Sequence, residues 1–426
     1  MKETATATTM GAYIRGLDAF PATVMVSIED GLPGLFIEGA GNPIEMRERV
    51  RCAIKMSGFA MPERGRIRII MEPSLVLNSV PSTLDLAVAV AILVASGQIA
   101  PEYCERRLFF GTLDLASQVS AKRGVYCASK LAAETGHLLV THVGAERLRA
   151  GCDYCDIRSL KEIHGAPVMR AEPFAEADDG DVWAKDIFSR GEVIAAAGKL
   201  GAAIVGEDIN SLTFSRHVRA LMPAMDVIER DRINSAYSVI GEPEPMGRPV
   251  CKIRRGESLP GIIGGGLPVL PGKVTLASGG VLMVDDIAMM SSATVKALKS
   301  VSDDGCVRIV RVKGSYEFPA DCIFIVDVNG AIPEDMSEEF SRAYRSKAMS
   351  RARGIADIAI ESNDAVYTYD QARGMVETAW GILCERPRPM KAVDRIAQAL
   401  AALDGREVPS PQHYLEAQSL SLDSVF

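Results

Sequence analysis

Ala202–Arg216, AAIVGEDINSLTFSR, carries the strongest fold signal in this 426-residue chain. An apolar run ends at Gly206, a polar loop follows, and a helix-forming run begins after Thr213. This order predicts a strand, a tight loop and a helix. It is the layout of a phosphate-binding loop, G-x-x-x-x-G-K-[ST], with Gly206 at the first glycine and Thr213 at the hydroxyl. Ser211 stands at the second glycine and Leu212 at the lysine.

Composition bounds the class of protein. The length allows two to four domains, and 48% hydrophobic with 24% charged residues is typical of a soluble globular protein. A net charge of −8 disfavours broad non-specific binding to nucleic acid but is compatible with a local basic groove. We find no apolar signal segment at the N-terminus, and the most apolar stretch, Leu84–Ser96, is too short to span a bilayer. We therefore expect a cytoplasmic protein without a membrane partner.

Nine cysteines in a long chain fit a reducing compartment. Cys152 and Cys155 have C-x-x-C spacing, which is compatible with a zinc site, a redox pair or two free thiols. A structural zinc site needs two more ligands, and neither a second cysteine pair nor a histidine pair follows. We expect free thiols here, and their role stays open.

The first 170 residues combine helix and strand signals. The patterns predict an α+β domain with strands at Val24–Ile28, Arg66–Met71, Arg107–Leu113 and His137–His142, and helices at Asn42–Ser57, Ser82–Ser96 and Gly124–Gly136. Ser82 or Thr83 is expected to cap the apolar second helix.

Two apolar strands of the second half end in polar side chains. Val281–Val284 leads into Asp285 and Asp286, and Cys322–Val328 leads into Asn329. A strand that delivers carboxylates at its end is the Walker B design, in which the first acid holds Mg²⁺ and the second polarises the attacking water. The alternative is that the two acids cap the helix that follows.

The chain resembles the ComM/YifB family, which is grouped with the ChlI ATPase subunit of magnesium chelatase. In the first half the resemblance lies in GLPGLFIEGAGNPIEMRERVRCAIKMSGFAMP, STLDLAVAVAILVASGQI and LFFGTLDL, and in the second half in VIAAAGKLGAAIVGEDI, GRPVCKIRRGES and GGGLPVLPGKVTLASGGVLMVDD. It implies an α/β multidomain protein. An N-terminal α+β domain similar to the Lon proteolytic domain and to a ribosomal-protein fold would precede an AAA+ (P-loop NTPase-like) α/β core and a C-terminal helical lid.

The expected domains are 1–170 for the Lon-like domain, 183–360 for the AAA+ core and 361–426 for the lid. The acidic stretch AEPFAEADDGDV, residues 171–182, is expected to be a linker. Breakers and amphipathic spacing predict three lid helices at Tyr369–Cys384, Lys391–Leu403 and Pro411–Leu420.

The resemblance implies a role for each residue of a nucleotide site. The phosphate loop would contain Gly206, Ser211, Leu212 and Thr213. Mg²⁺ would be held by Asp285 and Thr213 if nucleotide binds. Asp286 and Asn329 would be vestigial catalytic residues, and Arg388 falls on the second-sensor arginine that contacts the γ-phosphate.

The same alignment predicts a degenerate site. Leu212 supplies no charge, and Glu207 and Asp208 each add repulsion of about 1 kcal/mol or more beside a polyanion. The family has an Asp-Arg pair whose arginine, the arginine finger, completes the site of the neighbouring subunit. This chain has Gly354 and Ile355 at these two positions, and Arg351 or Arg353 are the alternatives. No cofactor is expected to be required, although weak binding of Mg·ATP or Mg·ADP is compatible with the sequence.

Three functions remain open. The first is a non-hydrolysing pseudo-ATPase that acts as a scaffold or regulatory subunit, in a homo-oligomeric ring or as a partner of an active AAA+ protein. The second is a divergent ATP-dependent ring motor on DNA, in branch migration or recombination, with Arg248, Arg254, Arg255 and the basic run 341–353 along the DNA path. The third is a Lon-like peptidase using Ser82, with Cys127 at the lysine position and Lys130 one turn on, or a metal-chelatase partner. If active, we expect an ATPase of the AAA+ class.

Overall fold

The computed structural model describes residues 5–38, 44–62, 65–73, 81–173, 183–312, 314–330, 337–362, 364–384 and 391–424. The chain forms two compact units. One comprises Met1–Ala175 with Asn234–Glu244, and the other Glu176–Ile233 with Pro245–Phe426. Within the described ranges no helix has the length and apolarity needed to cross a membrane.

The first unit is α+β, as predicted. Its described elements are β1 (Ala5–Arg15), β2 (Asp18–Glu29), β3 (Gly34–Glu38), α1 (Ile44–Met56), β4 (Arg66–Glu72), α2 (Asp85–Ala95), β5 (Arg107–Phe109), β6 (Thr112–Leu113), β7 (Val119–Ser120), α3 (Val125–Thr135), β8 (Leu138–Thr141), β9 (Asp153–Asp156) and β10 (Met169–Arg170). Eight of the strands form one mixed sheet in the order β10-β9-β8-β5-β1-β2-β4-β3.

Helix α2 lies in the core of this unit. All eleven of its residues are buried, which is the expected position for a helix that is apolar on every side.

The prediction that Ser82 or Thr83 caps α2 is wrong. Ser82 and Thr83 form a 3₁₀ turn before α2, Ser82 Oγ accepts a hydrogen bond from Thr112 Oγ1 at 3.0 Å, and Thr83 Oγ1 donates to the Ala12 carbonyl at 3.0 Å.

Two strand predictions in the first unit need correction. Strand β1 was missed because ATATTMGAYIR contains small and polar residues rather than alternating bulky apolar ones. The predicted strand Arg107–Leu113 is two strands, β5 and β6. The extended conformation is interrupted between them at Gly111, whose φ is +158°.

The second unit contains a longer series of elements. They are β11 (Ile187–Ser189), α4 (Arg190–Gly198), β12 (Ala202–Ile204), α5 (Ser211–Leu221), α6 (Val227–Ile240), β13 (Val250–Ile253), α7 (Leu259–Ile263), β14 (Gly264–Gly265), β15 (Leu270–Pro271), α8 (Lys273–Leu276), β16 (Val281–Val284), α9 (Ser292–Asp304), β17 (Cys306–Arg311), β18 (Gly314–Pro319), β19 (Ile323–Asp327), α10 (Glu338–Ala352), β20 (Ile358–Ile360), β21 (Ala365–Thr368), α11 (Tyr369–Leu383), α12 (Ala392–Leu403) and α13 (Pro411–Leu420). The second half of α6 is part of the first unit.

A five-stranded parallel sheet, in the order β13-β16-β19-β12-β20, forms the centre of the second unit. All four residues of β16 are buried, as expected for a parallel strand covered on both faces. Because the strands are parallel, their carboxyl ends meet at one edge. The α/β expectation is confirmed, and the candidate site lies at this edge.

The three helices of the predicted lid have almost the predicted bounds. They share one apolar core with the sheet, since Val376, Ile396 and Ala417 cluster with the strand residues Ile204 and Ile325. The structure groups 361–424 with the second unit rather than as a separate body. Strands β20 and β21 and the β17–β18 hairpin were not predicted.

Candidate functional site

Strand β12 ends at Ile204 and α5 begins at Ser211, so the predicted strand, loop and helix are present. The helix begins three residues earlier than the run after Thr213 indicated. Gly206 packs against backbone, because a Cβ there would lie 2.4 Å from the Glu361 carbonyl oxygen. Its amide donates to the Ile360 carbonyl at 3.0 Å. The glycine is therefore required for close packing against the chain after β20.

Asn210 caps helix α5. Its Oδ1 accepts hydrogen bonds from the amides of Leu212 at 3.1 Å and Thr213 at 2.9 Å. The first amides of a helix have no partner within the helix, and in a phosphate-binding loop they point at the anion. Here a neutral side chain of the same chain already accepts from two of them.

The three residues at the motif positions have different surroundings. Ser211 is buried, and its Oγ donates to Asp327 Oδ2 at 2.9 Å. Leu212 is half-buried, and Thr213 is exposed. The serine hydroxyl thus connects the helix to the end of β19, and Leu212 brings no positive charge to the loop.

Asp285 and Asp286 follow β16 but face different partners. Lys252 of β13 places its Nζ 2.8 Å from Asp285 Oδ2. Asp286 has a φ of +53°, accepts a short hydrogen bond from the Tyr344 hydroxyl and lies 3.7 Å from Arg255 Nη1. The alternative that these acids cap the next helix is wrong.

The cap of that next helix, α9, is Ser291. Its Oγ accepts from the Thr294 amide at 3.1 Å. The two acids before it are therefore left for contacts with other elements at the sheet edge.

Tyr344 belongs to helix α10 and lies within this acidic edge. Burial raises the pKa of its hydroxyl, and the hydrogen bond and charge of Asp286 raise it further, so it remains a donor. Gly330 makes room for the ring, since a Cβ there would lie 2.0 Å from the tyrosine oxygen. The tyrosine therefore ties α10 to the end of β16.

Asn329 lies at the end of the neighbouring strand, as predicted. Its Nδ2 donates to the carbonyls of Val205 at 3.1 Å and Gly206 at 3.0 Å, and its amide donates to Asp327 Oδ1 at 3.0 Å. Its Oδ1 is buried and finds no hydrogen-bond partner among the described residues. The side chain thus fixes the start of the loop.

Helix α10 makes further contacts with the site. Arg345 forms a short ion pair with Glu207 of the loop. Arg351 Nη1 donates to three carbonyls, those of Ile287 at 3.1 Å, Ala288 at 2.9 Å and Met290 at 2.5 Å. Arg351 is therefore engaged within its own subunit and is a poor substitute for a finger.

The residues aligned with the finger present no charge. Gly354 has a φ of +78°, and the Ile355 side chain is buried. Arg353 is half-buried, and its backbone forms a bridge with Ala356. The alignment therefore puts an apolar core position where the family has the arginine.

The proposed nucleic-acid contacts separate into two groups. Arg248 is 7% exposed, and its guanidinium bonds the carbonyls of Pro223 and Gly279 at 2.8 and 2.6 Å and the Glu229 carboxylate at 2.9 Å. This corrects its assignment as a DNA contact, because its hydrogen-bonding capacity is used inside the unit. Arg254 and Arg255 are exposed.

Several predicted positions lie outside the described residues. Arg388 is among 385–390, and most of the expected linker is within 174–182.

The structure of the first unit does not support the peptidase hypothesis. Cys127 is buried, with its Sγ 3.2 Å from the Leu17 carbonyl oxygen, and Lys130 pairs with Asp18 at 3.3 Å. Ser82 Oγ accepts a hydrogen bond from the Thr112 hydroxyl, which is not a general base. These contacts disfavour a Ser–Lys dyad.

Cys152 and Cys155 are buried free thiols. Burial raises the pKa of Cys152 to about 12 and also raises the pKa of Cys155, so neither is a reactive thiolate at neutral pH. Among the described residues no group of three or more His, Cys, Asp and Glu side chains has a metal-binding arrangement.

Reasoning from the sequence missed four residues of the site, namely Asn210, Lys252, Asp327 and Tyr344, and it assigned Arg345 to a basic run along DNA rather than to the loop residue Glu207. Only Asn210 had a local signal, because asparagine before a helix is a preferred N-cap. The other four meet their partners across different elements, which no spacing rule reveals.

The residues present do not fit a Mg·nucleotide. The helix amides already have an acceptor, Leu212 replaces the lysine, and the first Walker B acid is paired with Lys252. Glu207 adds a carboxylate that Arg345 already neutralises. The edge is thus closed by contacts within the chain.

Two family models match this sequence. The one described as magnesium chelatase, subunit ChlI, matches residues 180–354, and the one described as subunit ChlI of Mg-chelatase matches residues 24–143. Together they cover part of each unit.

Known proteins are similar over the same region. The uncharacterized protein YifB of Salmonella typhimurium is 28% identical over an alignment of 338 residues, which covers 74% of this chain and 66% of that protein. YifB of Escherichia coli is 26% identical with the same coverage, and the competence protein ComM of Haemophilus influenzae is 24% identical over 340 residues, again 74% and 66%. The chain thus spans 66% of the length of these relatives.

A solved structure also matches in part. It is a chain from the complex of the BchI and BchD subunits of magnesium chelatase, based on a cryo-EM reconstruction at 7.5 Å. The match covers 54% of this chain and 90% of that one, with a TM-score of 0.30 and 17% identity.

Proposed function

Because this chain belongs to the ComM/YifB-like family of AAA+ proteins related to the ChlI subunit of magnesium chelatase, we propose that it is a non-hydrolysing pseudo-ATPase. It acts as a scaffold or regulatory subunit, in a ring of its own copies or beside an active AAA+ protein. One observation carries the proposal. Asn210 Oδ1 accepts from the amides of Leu212 and Thr213, the groups that a phosphate would need.

The electrostatics of the loop support the proposal. A phosphate loop needs a lysine between the β- and γ-phosphates, and Leu212 supplies none. Displacing the Asn210 cap would cost about 1 kcal/mol before any nucleotide contact forms. The position aligned with the finger is the buried Ile355, and absence of a finger costs hydrolysis on the order of 10³-fold or more.

Nucleotide titration tests the proposal directly. Isothermal titration of the full chain with Mg·ATP and Mg·ADP is expected to show no binding at micromolar concentrations, and phosphate release is expected to stay at background. The Asp285→Ala variant is the control and should behave as the unmodified chain does. Binding of Mg·ATP at micromolar concentrations, together with ATP turnover that Asp285→Ala abolishes, would contradict the proposal.

Restoring the motif alone should not restore activity. We expect the Ser211→Gly/Leu212→Lys double variant to gain at most weak nucleotide binding and no turnover, because Asn210 still caps the helix and Ile355 still provides no charge. Adding Asn210→Gly should raise the affinity further, since it frees the two amides. Robust phosphate release by the double variant would show that the finger has been misplaced.

The alternative is a divergent ATP-dependent ring motor acting on DNA. The exposed Arg254 and Arg255 are the observation that keeps it open. A motor requires both ATP turnover and DNA binding that weakens with salt and on Arg254→Ala/Arg255→Ala substitution. Arg248→Ala is unsuitable as a test, since it would remove a buried side chain that bonds the half-buried Glu229 and two backbone carbonyls. DNA binding without turnover would favour a silent subunit that still contacts DNA.

Ring assembly is a separate part of the proposal. Mass photometry of the full chain, alone and with an active AAA+ relative, distinguishes a homo-oligomer from a hetero-partner. A monomer under both conditions would remove the subunit role and leave only a solitary scaffold.

A further inference from the structure

Asp285 is the first carboxylate at the carboxyl end of β16, and its neighbour in space is a lysine. Strands β13 and β16 are parallel, with Lys252 opposite Met283, two residues before the aspartate. The lysine side chain spans that offset and brings Nζ to 2.8 Å from Asp285 Oδ2. Both side chains are about one-third exposed, at 32% and 29%, so the pair lies at the rim of the sheet edge.

The backbone of Lys252 is also bound by a neighbouring side chain. Its own carbonyl accepts a hydrogen bond from Lys273 Nζ at 2.8 Å, and Lys273 also pairs with Glu257 at 2.7 Å. Lys273 is therefore committed elsewhere, and Lys252 is the cation assigned to Asp285. No role for Lys252 was predicted from the sequence. In this segment only Arg248, Arg254 and Arg255 were considered, as possible DNA contacts.

The second carboxylate is balanced separately. Asp286 receives the Tyr344 hydroxyl and lies 3.7 Å from Arg255 Nη1. Two carboxylates thus face two cationic side chains and one hydroxyl. A divalent cation at Asp285 would meet the ammonium of Lys252 at close range and would be repelled by it.

We infer that the ammonium of Lys252 occupies the cation position on Asp285, so that the charge of Asp285 is balanced without a divalent metal. The inference rests on the proposed function but concerns the bare metal, without nucleotide. Lys252 is then the residue that excludes Mg²⁺ and Mn²⁺ from the edge. Removing its charge while keeping its volume should open a weak metal site.

The experiment is a Mn²⁺ titration of the full chain followed by electron paramagnetic resonance of the free ion. Lys252→Met is expected to bind Mn²⁺ at least about tenfold more tightly than the unmodified chain, because an oxygen ligand for a hard cation is released. Asp285→Asn in the same variant should abolish the gain. Lys296→Met, at an exposed lysine of α9, is the matched control and should change nothing.

Two results would overturn the inference. One is that Lys252→Met binds Mn²⁺ no more tightly than the unmodified chain, and the other is a gain in Lys252→Met that Asp285→Asn does not abolish. Thermal unfolding establishes that the variant is folded, and Lys252→Gln replaces it if methionine is not tolerated. ATP turnover by the unmodified chain would instead contradict the proposed function, so the two failures are distinguishable.

Discussion

Arg49 and Asp85 form an ion pair in the core of the first unit. Arg49 Nε and Nη2 lie 2.7 and 3.2 Å from the two carboxylate oxygens, and the Leu113 amide donates to the same carboxylate at 3.2 Å. Asp85 is fully buried. Burial raises the pKa of Asp85 to about 6, although Arg49 opposes that rise.

Arg49→Met should therefore be strongly destabilising. We expect a loss of about 3 kcal/mol in the free energy of unfolding at pH 8, because a buried carboxylate is left without its cation. Without Arg49 the pKa of Asp85 rises further, so the loss should shrink as the pH falls and the carboxyl takes up a proton. Urea unfolding at pH 5 and pH 8 measures both effects.

Two controls accompany that measurement. Arg51→Met removes an exposed arginine of the same helix and should cost little. Adding Asp85→Asn to Arg49→Met should recover much of the loss. Equal losses for Arg49→Met and Arg51→Met would show that the buried pair contributes nothing specific.

Helix α10 is an element that closes the candidate site. Tyr344 bonds Asp286, Arg345 pairs with Glu207, and Arg351 donates to the carbonyls of Ile287, Ala288 and Met290. The helix thus contacts the ends of two strands and the phosphate-loop position together. These contacts are all made within the chain, in addition to the packing of the buried Ala348, Met349 and Ala352.

Removing two of those contacts should loosen the helix. We expect Tyr344→Phe/Arg345→Met to raise hydrogen exchange of the α10 amides about tenfold or more, since the tyrosine hydrogen bond to a charged group contributes roughly 1.5–3 kcal/mol and the exposed ion pair at most about 1 kcal/mol. Arg342→Met is the matched control, because that side chain is exposed and pairs only with Glu338 on its own helix. Equal exchange in both variants would mean that packing alone holds α10.

At the level of the whole molecule, the first unit is completed by a distant segment, Asn234–Glu244. Ser238 accepts a hydrogen bond from the Tyr126 amide at 3.1 Å, donates to Glu146 Oε2 at 3.0 Å, and its carbonyl accepts from the Gly124 amide at 2.8 Å. The segment is thus attached through one serine and a carboxyl group.

Glu146 should make the stability of this unit pH-dependent. Burial raises the pKa of Glu146 to about 7, the charge of Glu244 adds to the rise, and the Ser238 hydrogen bond opposes it. The folded state then binds an extra proton between the ordinary pKa and about 7. The stability that this carboxyl contributes is present below its ordinary pKa and is lost as the pH rises through about 7.

Glu146→Gln removes that titration while keeping an acceptor for Ser238. We expect it to be more stable than the unmodified chain at pH 8, by on the order of 1 kcal/mol, since partial exposure screens the charge, and to show no gain at pH 4.5. Urea unfolding at the two pH values is the measurement. Glu134→Gln, at an exposed position of α3, should show no such dependence. A gain of equal size at both pH values would contradict the assignment.

Local patterns were sufficient for several of the elements, and the resemblance of longer motifs was sufficient for the family. The bounds of β16 and of α11 to α13 agree with the predictions to within a residue, because apolar runs and breakers act on neighbouring positions. Burial of α2 also followed from its composition. The departures from the phosphate-loop motif at Ser211 and Leu212 were also visible in the sequence.

The partners of the charged groups came from the tertiary structure alone. Lys252 reaches Asp285 from a neighbouring strand, Tyr344 reaches Asp286 across 58 positions, and Arg248 turned out to be buried. The assignment of Asn234–Glu244 to the first unit had no sequence signal either. Periodicity records which face of an element is apolar, whereas a charge pair depends on which elements the fold brings together, and that is fixed only when the sheet and its helices have packed.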